Sequence, residues 1–93
     1  MKDLKILAVC GFGVGTSLLL KMNIKTALKR LDINADVENI DITTAKSVAC
    51  DMIFTSTELA GQLSGFDKPV VVITNFMDIN EIQTKAQEVI EKL

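Results

Sequence analysis

The sequence predicts an α/β fold in which a four-stranded parallel sheet is flanked by helices. Three observations carry this. Short apolar runs alternate with longer segments whose apolar residues recur at helical spacing, giving the order β-α-β-α-β-α-β-α. The run Met52 to Thr55 is apolar without alternation, as a strand covered on both faces requires, and Val70 to Thr74 is the most strand-like stretch in the chain. Between the first strand and the first helix lies Cys10-Gly11-Phe12-Gly13-Val14-Gly15-Thr16-Ser17, which holds three of the five glycines.

The first strand is expected from about Lys5 to Val9 and the first helix from about Thr16 to Leu31. Within that helix Leu20, Ile24, Ala27, Leu28 and Leu31 share one face, while Lys21, Lys25 and Lys29 line another. Asp32-Ile33-Asn34 ends it. Ala35 to Ile40 alternates small or apolar with charged residues, as a strand near the sheet edge does. Asp41-Ile42-Thr43-Thr44 supplies capping side chains for a short helical segment to about Val48. After the third strand, Ser56-Thr57-Glu58 starts a short helix through Leu63, closed by a turn at Ser64-Gly65. Lys68-Pro69 leads into the fourth strand. Asp78 to Leu93 closes as a helix with Ile79, Ile82, Ala86, Val89, Ile90 and Leu93 inward. The whole is a small Rossmann-like, three-layer arrangement with a phosphate loop after its first strand. In such sheets ligands bind beyond the carboxyl ends of the strands. Cys10, Thr55-Ser56-Thr57 and Asn75-Phe76-Met77 are all expected on that edge.

Composition excludes several chemistries. With no histidine in 93 residues, a Ser-His-Asp or Cys-His pair, a His-ligated zinc site and a phosphohistidine carrier are ruled out. The length and the 48% hydrophobic content predict one compact domain spanning residues 1–93. A net charge of −2 and four aromatics, all Phe, argue against nucleic acid as a partner. Positive charge is nonetheless concentrated on the side of the glycine-rich turn, residues 1–46 carrying +2 and residues 47–93 carrying −4. No apolar stretch approaches the ~20 residues that span a membrane, and Met1-Lys2-Asp3 does not read as a signal peptide, so a cytoplasmic location is expected. Cys10 and Cys50 are accordingly expected as separate thiols. Cys50 precedes an apolar run with no glycine-rich turn after it and reads as a packing residue.

The glycine-rich turn reads as a phosphate cradle built around a nucleophile. Glycines let the backbone turn tightly and approach a ligand, and a helix N-terminus offers free N–H groups to an anion. The nucleotide P-loop is excluded, because no lysine lies between Lys5 and Lys21. The dinucleotide fingerprint is missed, because Gly11, Gly13 and Gly15 are spaced by two. The cysteine-phosphatase loop has an arginine six positions after the thiol, where this chain has Thr16. Without that bidentate cation the cradle is less able to drive hydrolysis and better suited to receiving and passing on a phosphoryl group.

The run Ile6 to Ser17 followed by Leu20-Lys21-Met22 resembles the IIB component of the bacterial phosphoenolpyruvate-dependent sugar phosphotransferase system. Within it, the likeness is to the ascorbate-type branch, near the lactose/cellobiose and galactitol proteins. It extends to Asp51-Met52-Ile53-Phe54-Thr55-Ser56-Thr57, Leu59-Ala60-Gly61 and Val72-Ile73-Thr74-Asn75-Phe76-Met77. The resemblance implies that Cys10 accepts a phosphoryl group from phosphohistidine on a IIA protein. Cys10 then delivers it to a sugar, ascorbate or a similar polyol-like compound, held by the membrane IIC permease. Physical chemistry agrees: a thiol of pKa ~8.5 is only about 3% thiolate at pH 7, and a helix N-terminus raises that fraction. Main-chain N–H groups of Gly11, Phe12, Gly13, Val14, Gly15, Thr16 and Ser17, with the hydroxyls of Thr16 and Ser17, are the candidate phosphate donors. No metal or cofactor is expected.

Blander readings stand beside these. Cys10 also reads as an inert thiol beside a turn, Thr16 and Ser17 as helix caps, and Lys21 and Lys25 as a solvated face in place of a steering one. Phe12, Val14, Leu18, Leu19 and Met22 suit an apolar rim for IIA and IIC, or, for Leu18 and Leu19, inward packing. Two other functions compete: a hydrolase like the low-molecular-weight cysteine phosphatases, and a regulatory module read in its phosphorylated state.

Overall fold

The computed structural model describes residues 4–10 and 14–92. The elements are β1 (Leu4–Cys10), α1 (Val14–Arg30), β2 (Ala35–Asp41), α2 (Ile42–Ala45), β3 (Met52–Thr55), α3 (Thr57–Ala60), a 3-10 turn at Gly61–Leu63, β4 (Val70–Val72) and α4 (Ile79–Glu91). The strands form one sheet in the order β2-β1-β3-β4 with every pairing parallel. This is the four-stranded parallel sheet flanked by helices that the alternation predicts.

The period-two geometry of β1 divides the core. Leu4, Ile6 and Ala8 face one side, where Leu20, Ile24, Ala27 and Leu28 of α1 and Ile82 and Ala86 of α4 close over them with Phe54 and Met52 of β3. Leu7 and Val9 face the other, against Ala45, Cys50, Ile53, Leu59 and Leu63. Removing a side chain the size of Phe54 from water contributes about 1.5–3 kcal/mol, so these two apolar layers are the main stabilising term. β2, expected near an edge, is one. Its outward Asp36 and Glu38 pair with Lys5 of β1 at 2.9 and 3.1 Å, and charge on an exposed edge discourages further strand addition.

Helix boundaries follow local chemistry. α1 stops where Asp32 turns left-handed, with φ 56. The Asp32 amide then donates to the Lys29 carbonyl at 3.1 Å and that of Ile33 to the Leu28 carbonyl at 3.0 Å, the paired bonds of a Schellman ending. α1 begins at Val14, ahead of the expected Thr16, because apolar spacing marks only the packed part of a helix. The short helix after Asp41 ends at Ala45, ahead of Val48. β4 is shorter than the apolar run suggests. Ile73 still donates to the Thr55 carbonyl at 2.9 Å, but the amides of Thr74 and Asn75 turn to the Glu81 carboxylate and leave the sheet. Gly65, at φ +83, takes the left-handed turn that follows the 3-10 segment. No helix among the described residues is long and apolar enough to cross a membrane.

Candidate functional site

The carboxyl edge of the sheet gathers the residues that the sequence singles out. Cys10 is the last residue of the central strand β1, and α1, the longest helix, starts at Val14. A thiol-bearing residue and a helix N-terminus are thus separated by a short connection, the arrangement a phosphate cradle needs. Gly11, Phe12 and Gly13 lie outside the described residues, as do the side chains of Cys10 and of Val14, Gly15, Thr16 and Ser17.

Around Cys10 the edge is held by three sets of bonds. In the register of β1 and β2, Cys10 stands opposite Asp41. The Asp41 carboxylate caps α2, accepting from the Thr44 amide at 3.0 Å and from the hydroxyls of Thr43 and Thr44, each at 2.7 Å. Those donors, the Thr43 hydroxyl foremost, hold its pKa below the ordinary carboxylate value. On the other side Val9 stands opposite Thr55, whose hydroxyl donates to the Val9 carbonyl at 3.0 Å.

The third set clamps the segment after β4. Glu81 accepts from the Thr74 amide and hydroxyl, each at 2.9 Å, and from the Asn75 amide at 3.0 Å. Lys85 donates to the same carboxylate and to the Val72 carbonyl, both at 2.7 Å. Burial by itself raises the Glu81 pKa, but the bonds from Lys85, Thr74 and Asn75 outweigh it and bring the group to about 2. The Asn23 side-chain amide of α1 donates to the Phe76 carbonyl, tying this segment to the first helix.

A cleft of about 320 Å³ opens between the segments after β3 and β4, lined by Ser56, Thr57, Thr74, Asn75, Phe76 and Met77 among others. Leu18, Met22 and Met77 are the exposed large apolar side chains among the described residues, at 44%, 57% and 65% exposure. They sit on the two segments that the Asn23 bond joins. Of the apolar rim expected from Phe12, Val14, Leu18, Leu19 and Met22, Leu18 and Met22 face outward and Leu19 is half-buried, while Phe12 and the Val14 side chain lie outside the described residues. Cys50 is buried in the second core layer, where burial pushes its thiol pKa up. That is the packing role its context predicts.

The family described as "PTS system, Lactose/Cellobiose specific IIB subunit" matches this chain over residues 5–88. The chain belongs to this IIB family of the phosphotransferase system. It is 34% identical over 92 residues to the "Ascorbate-specific PTS system EIIB component" of Mycoplasma pneumoniae, covering 96% of this chain and 97% of that protein. A protein of the same description from Salmonella typhimurium is 34% identical over 91 residues, covering 95% and 90%. Among solved structures, the lactose-specific IIB component domain from Streptococcus pneumoniae superposes with a TM-score of 0.66 at 17% identity, covering 97% of each chain. The cellobiose-specific IIB component from Borrelia burgdorferi gives 0.61 at 26% identity, covering 97% of this chain and 91% of the other. The IIB likeness seen in the sequence is therefore correct, and the chain is a component of a sugar phosphotransferase system.

Sequence reasoning placed Cys10 and the segments after β3 and β4 on one edge but missed the bonds that hold them. Asp78-Ile79-Asn80-Glu81 has the spacing of a capping box, a signal present in the sequence. Asp78 does cap α4, accepting from the Glu81 amide at 3.1 Å. The Glu81 carboxylate reaches past it to Thr74 and Asn75.

Proposed function

We propose that this chain is the IIB phosphocarrier of an ascorbate-type phosphotransferase system, with Cys10 as the residue that carries the phosphoryl group. The observation that carries the reading is the position of Cys10, closing the central strand four residues before the longest helix begins. The ascorbate description of the Mycoplasma and Salmonella relatives supports the substrate branch.

The transfer is a displacement at phosphorus. Cys10 first loses its proton to solvent, which the positive end of α1 favours. The thiolate attacks the phosphorus of phosphohistidine on a IIA protein; the S–P bond forms as the N–P bond breaks, and the released imidazole takes up a proton. Main-chain N–H groups from Gly11 to Ser17, with the Thr16 and Ser17 hydroxyls, receive the phosphoryl oxygens. In the second step a hydroxyl of the sugar held by membrane IIC attacks phosphorus and gives up its proton to solvent; the O–P bond forms as the S–P bond breaks, and the thiolate is restored. The absence of arginine at position 16 favours this relay over hydrolysis. Leu18, Met22 and Met77 provide an apolar rim for IIA and IIC, and residues 1–93 act as one IIB domain on the cytoplasmic side.

The test is intact mass after incubation with phosphoenolpyruvate and the upstream phosphotransfer proteins. Wild type and Cys50→Ser are expected to gain one phosphoryl group and Cys10→Ser none. A wild-type chain left unmodified by a competent cognate IIA would sink the proposal.

A further inference from the structure

The two sides of Cys10 are held unequally. β1 pairs with β2 as far as Cys10 itself, but its pairing with β3 ends one position earlier, at Val9 and Thr55. At that last position the Thr55 hydroxyl donates to the Val9 carbonyl at 3.0 Å. Among the described residues Thr55 is the one polar side chain in the buried set, with no exposed surface. A hydroxyl placed in an apolar core is costly unless it is bonded, and the Val9 carbonyl satisfies it.

The Val9 carbonyl and the Cys10 amide belong to one planar peptide unit, so the atom that holds the carbonyl also fixes the plane from which the Cys10 Cα leaves the sheet. From Thr55 the β3 chain departs into Ser56 and α3, and its own backbone is anchored on the far side by the Ile73 amide at 2.9 Å. The Val9–Cys10 peptide is thereby tied through one side chain to β3 and β4, while on its other side Cys10 is paired in register with Asp41 of β2. We infer that Thr55 is a positioning residue for Cys10, its hydroxyl orienting the Val9–Cys10 peptide so that the thiol is aligned for in-line attack at phosphorus. This rests on the reading of Cys10 as the phosphoryl acceptor.

The experiment compares Thr55→Val, Thr55→Ala and Thr55→Ser with wild type in the full chain. Circular dichroism reports folding, steady-state kinetics give kcat and KM toward phosphorylated IIA, and peptide mass mapping follows the pH profile of Cys10 alkylation by iodoacetamide. Misplacing a reacting group by a fraction of an ångström costs about tenfold in rate, so folded Thr55→Val and Thr55→Ala are expected to lose about tenfold in kcat. KM is expected to stay unchanged, and the Cys10 alkylation profile to move to higher pH. Thr55→Ser, which keeps the hydroxyl, is expected to restore both. Wild-type kcat and alkylation profile in a folded Thr55→Val or Thr55→Ala chain would overturn the inference. So would a Thr55→Ser chain as slow as Thr55→Val, or the unfolding of both hydroxyl-free variants, which would assign Thr55 to the core alone. Should wild type fail to accept a phosphoryl group at all, the carrier reading falls first. The alkylation profile, which needs no donor, then decides by itself whether Thr55 orients Cys10.

Discussion

Replacing Glu81 with Gln keeps the size and shape of the side chain while removing the charge that holds the segment after β4. In the folded chain the carboxylate receives the Thr74 amide and hydroxyl, the Asn75 amide and Lys85, and only 14% of the side chain is exposed. Its pKa falls from the ordinary 4.5 to about 2, hydrogen bonds outweighing the opposing effect of burial. At roughly 1.4 kcal/mol per unit, that drop corresponds to about 3 kcal/mol of preference for the ionised group in the folded state. A glutamine oxygen still accepts from one of the donors, so Glu81→Gln is expected to lose about 2 kcal/mol at neutral pH. The sign of the pH dependence follows from the depressed pKa. The carboxylate's contribution is complete above the unfolded value near 4.5 and disappears as pH falls through about 2, where the folded group protonates. Urea unfolding of wild type and variant, followed by circular dichroism from neutral pH down to about pH 2, reads the difference directly. The gap between the curves is expected to close across that acid window. A gap below about 0.5 kcal/mol at neutral pH, or one that stays constant down to about pH 2, would refute the assignment of the clamp to the ionised carboxylate.

Two glycines with open surroundings give opposite expectations. Gly65 sits at φ +83 and Gly61 at φ −64, with nothing within 4 Å of an added Cβ at either, so the backbone alone decides. Gly65→Ala is expected to destabilise by about 1–2 kcal/mol and Gly61→Ala to stabilise by about 0.4–1 kcal/mol, measured as shifts in the urea midpoint. Equal shifts of one sign would contradict this. The buried Cys50 thiol, with its pKa raised chiefly by desolvation, is expected to resist iodoacetamide at neutral pH until urea exposes it. Rapid labelling in the native chain would show that it is not held in the second core layer.

The alternation of elements, the edge character of β2 and the inward faces of α1 and α4 were readable because each depends on local periodicity. Leu20, Ile24, Ala27 and Leu28 lie on one helical face whatever else the chain does, and all four are buried. The run Met52 to Thr55 likewise declared a strand covered on both sides, and its four residues are all buried. The Glu81 clamp was only half readable. The capping spacing marks the start of α4, but nothing near Glu81 in sequence says that its carboxylate will take the Thr74 and Asn75 amides and end β4 early.

Cys10, its glycines and the helix that follows were determined by sequence alone, since a strand-turn-helix transition is encoded within about one helical turn of itself. What stands beside Cys10 was decided by the tertiary structure. The strand order β2-β1-β3-β4 sets Asp41 opposite Cys10 and brings the Thr55 hydroxyl to the Val9 carbonyl just before it, a bond that spans 46 positions in the chain. Such partners follow from packing two apolar layers onto one sheet. Periodicity shows which face of a strand is buried but not which strand lies next to it.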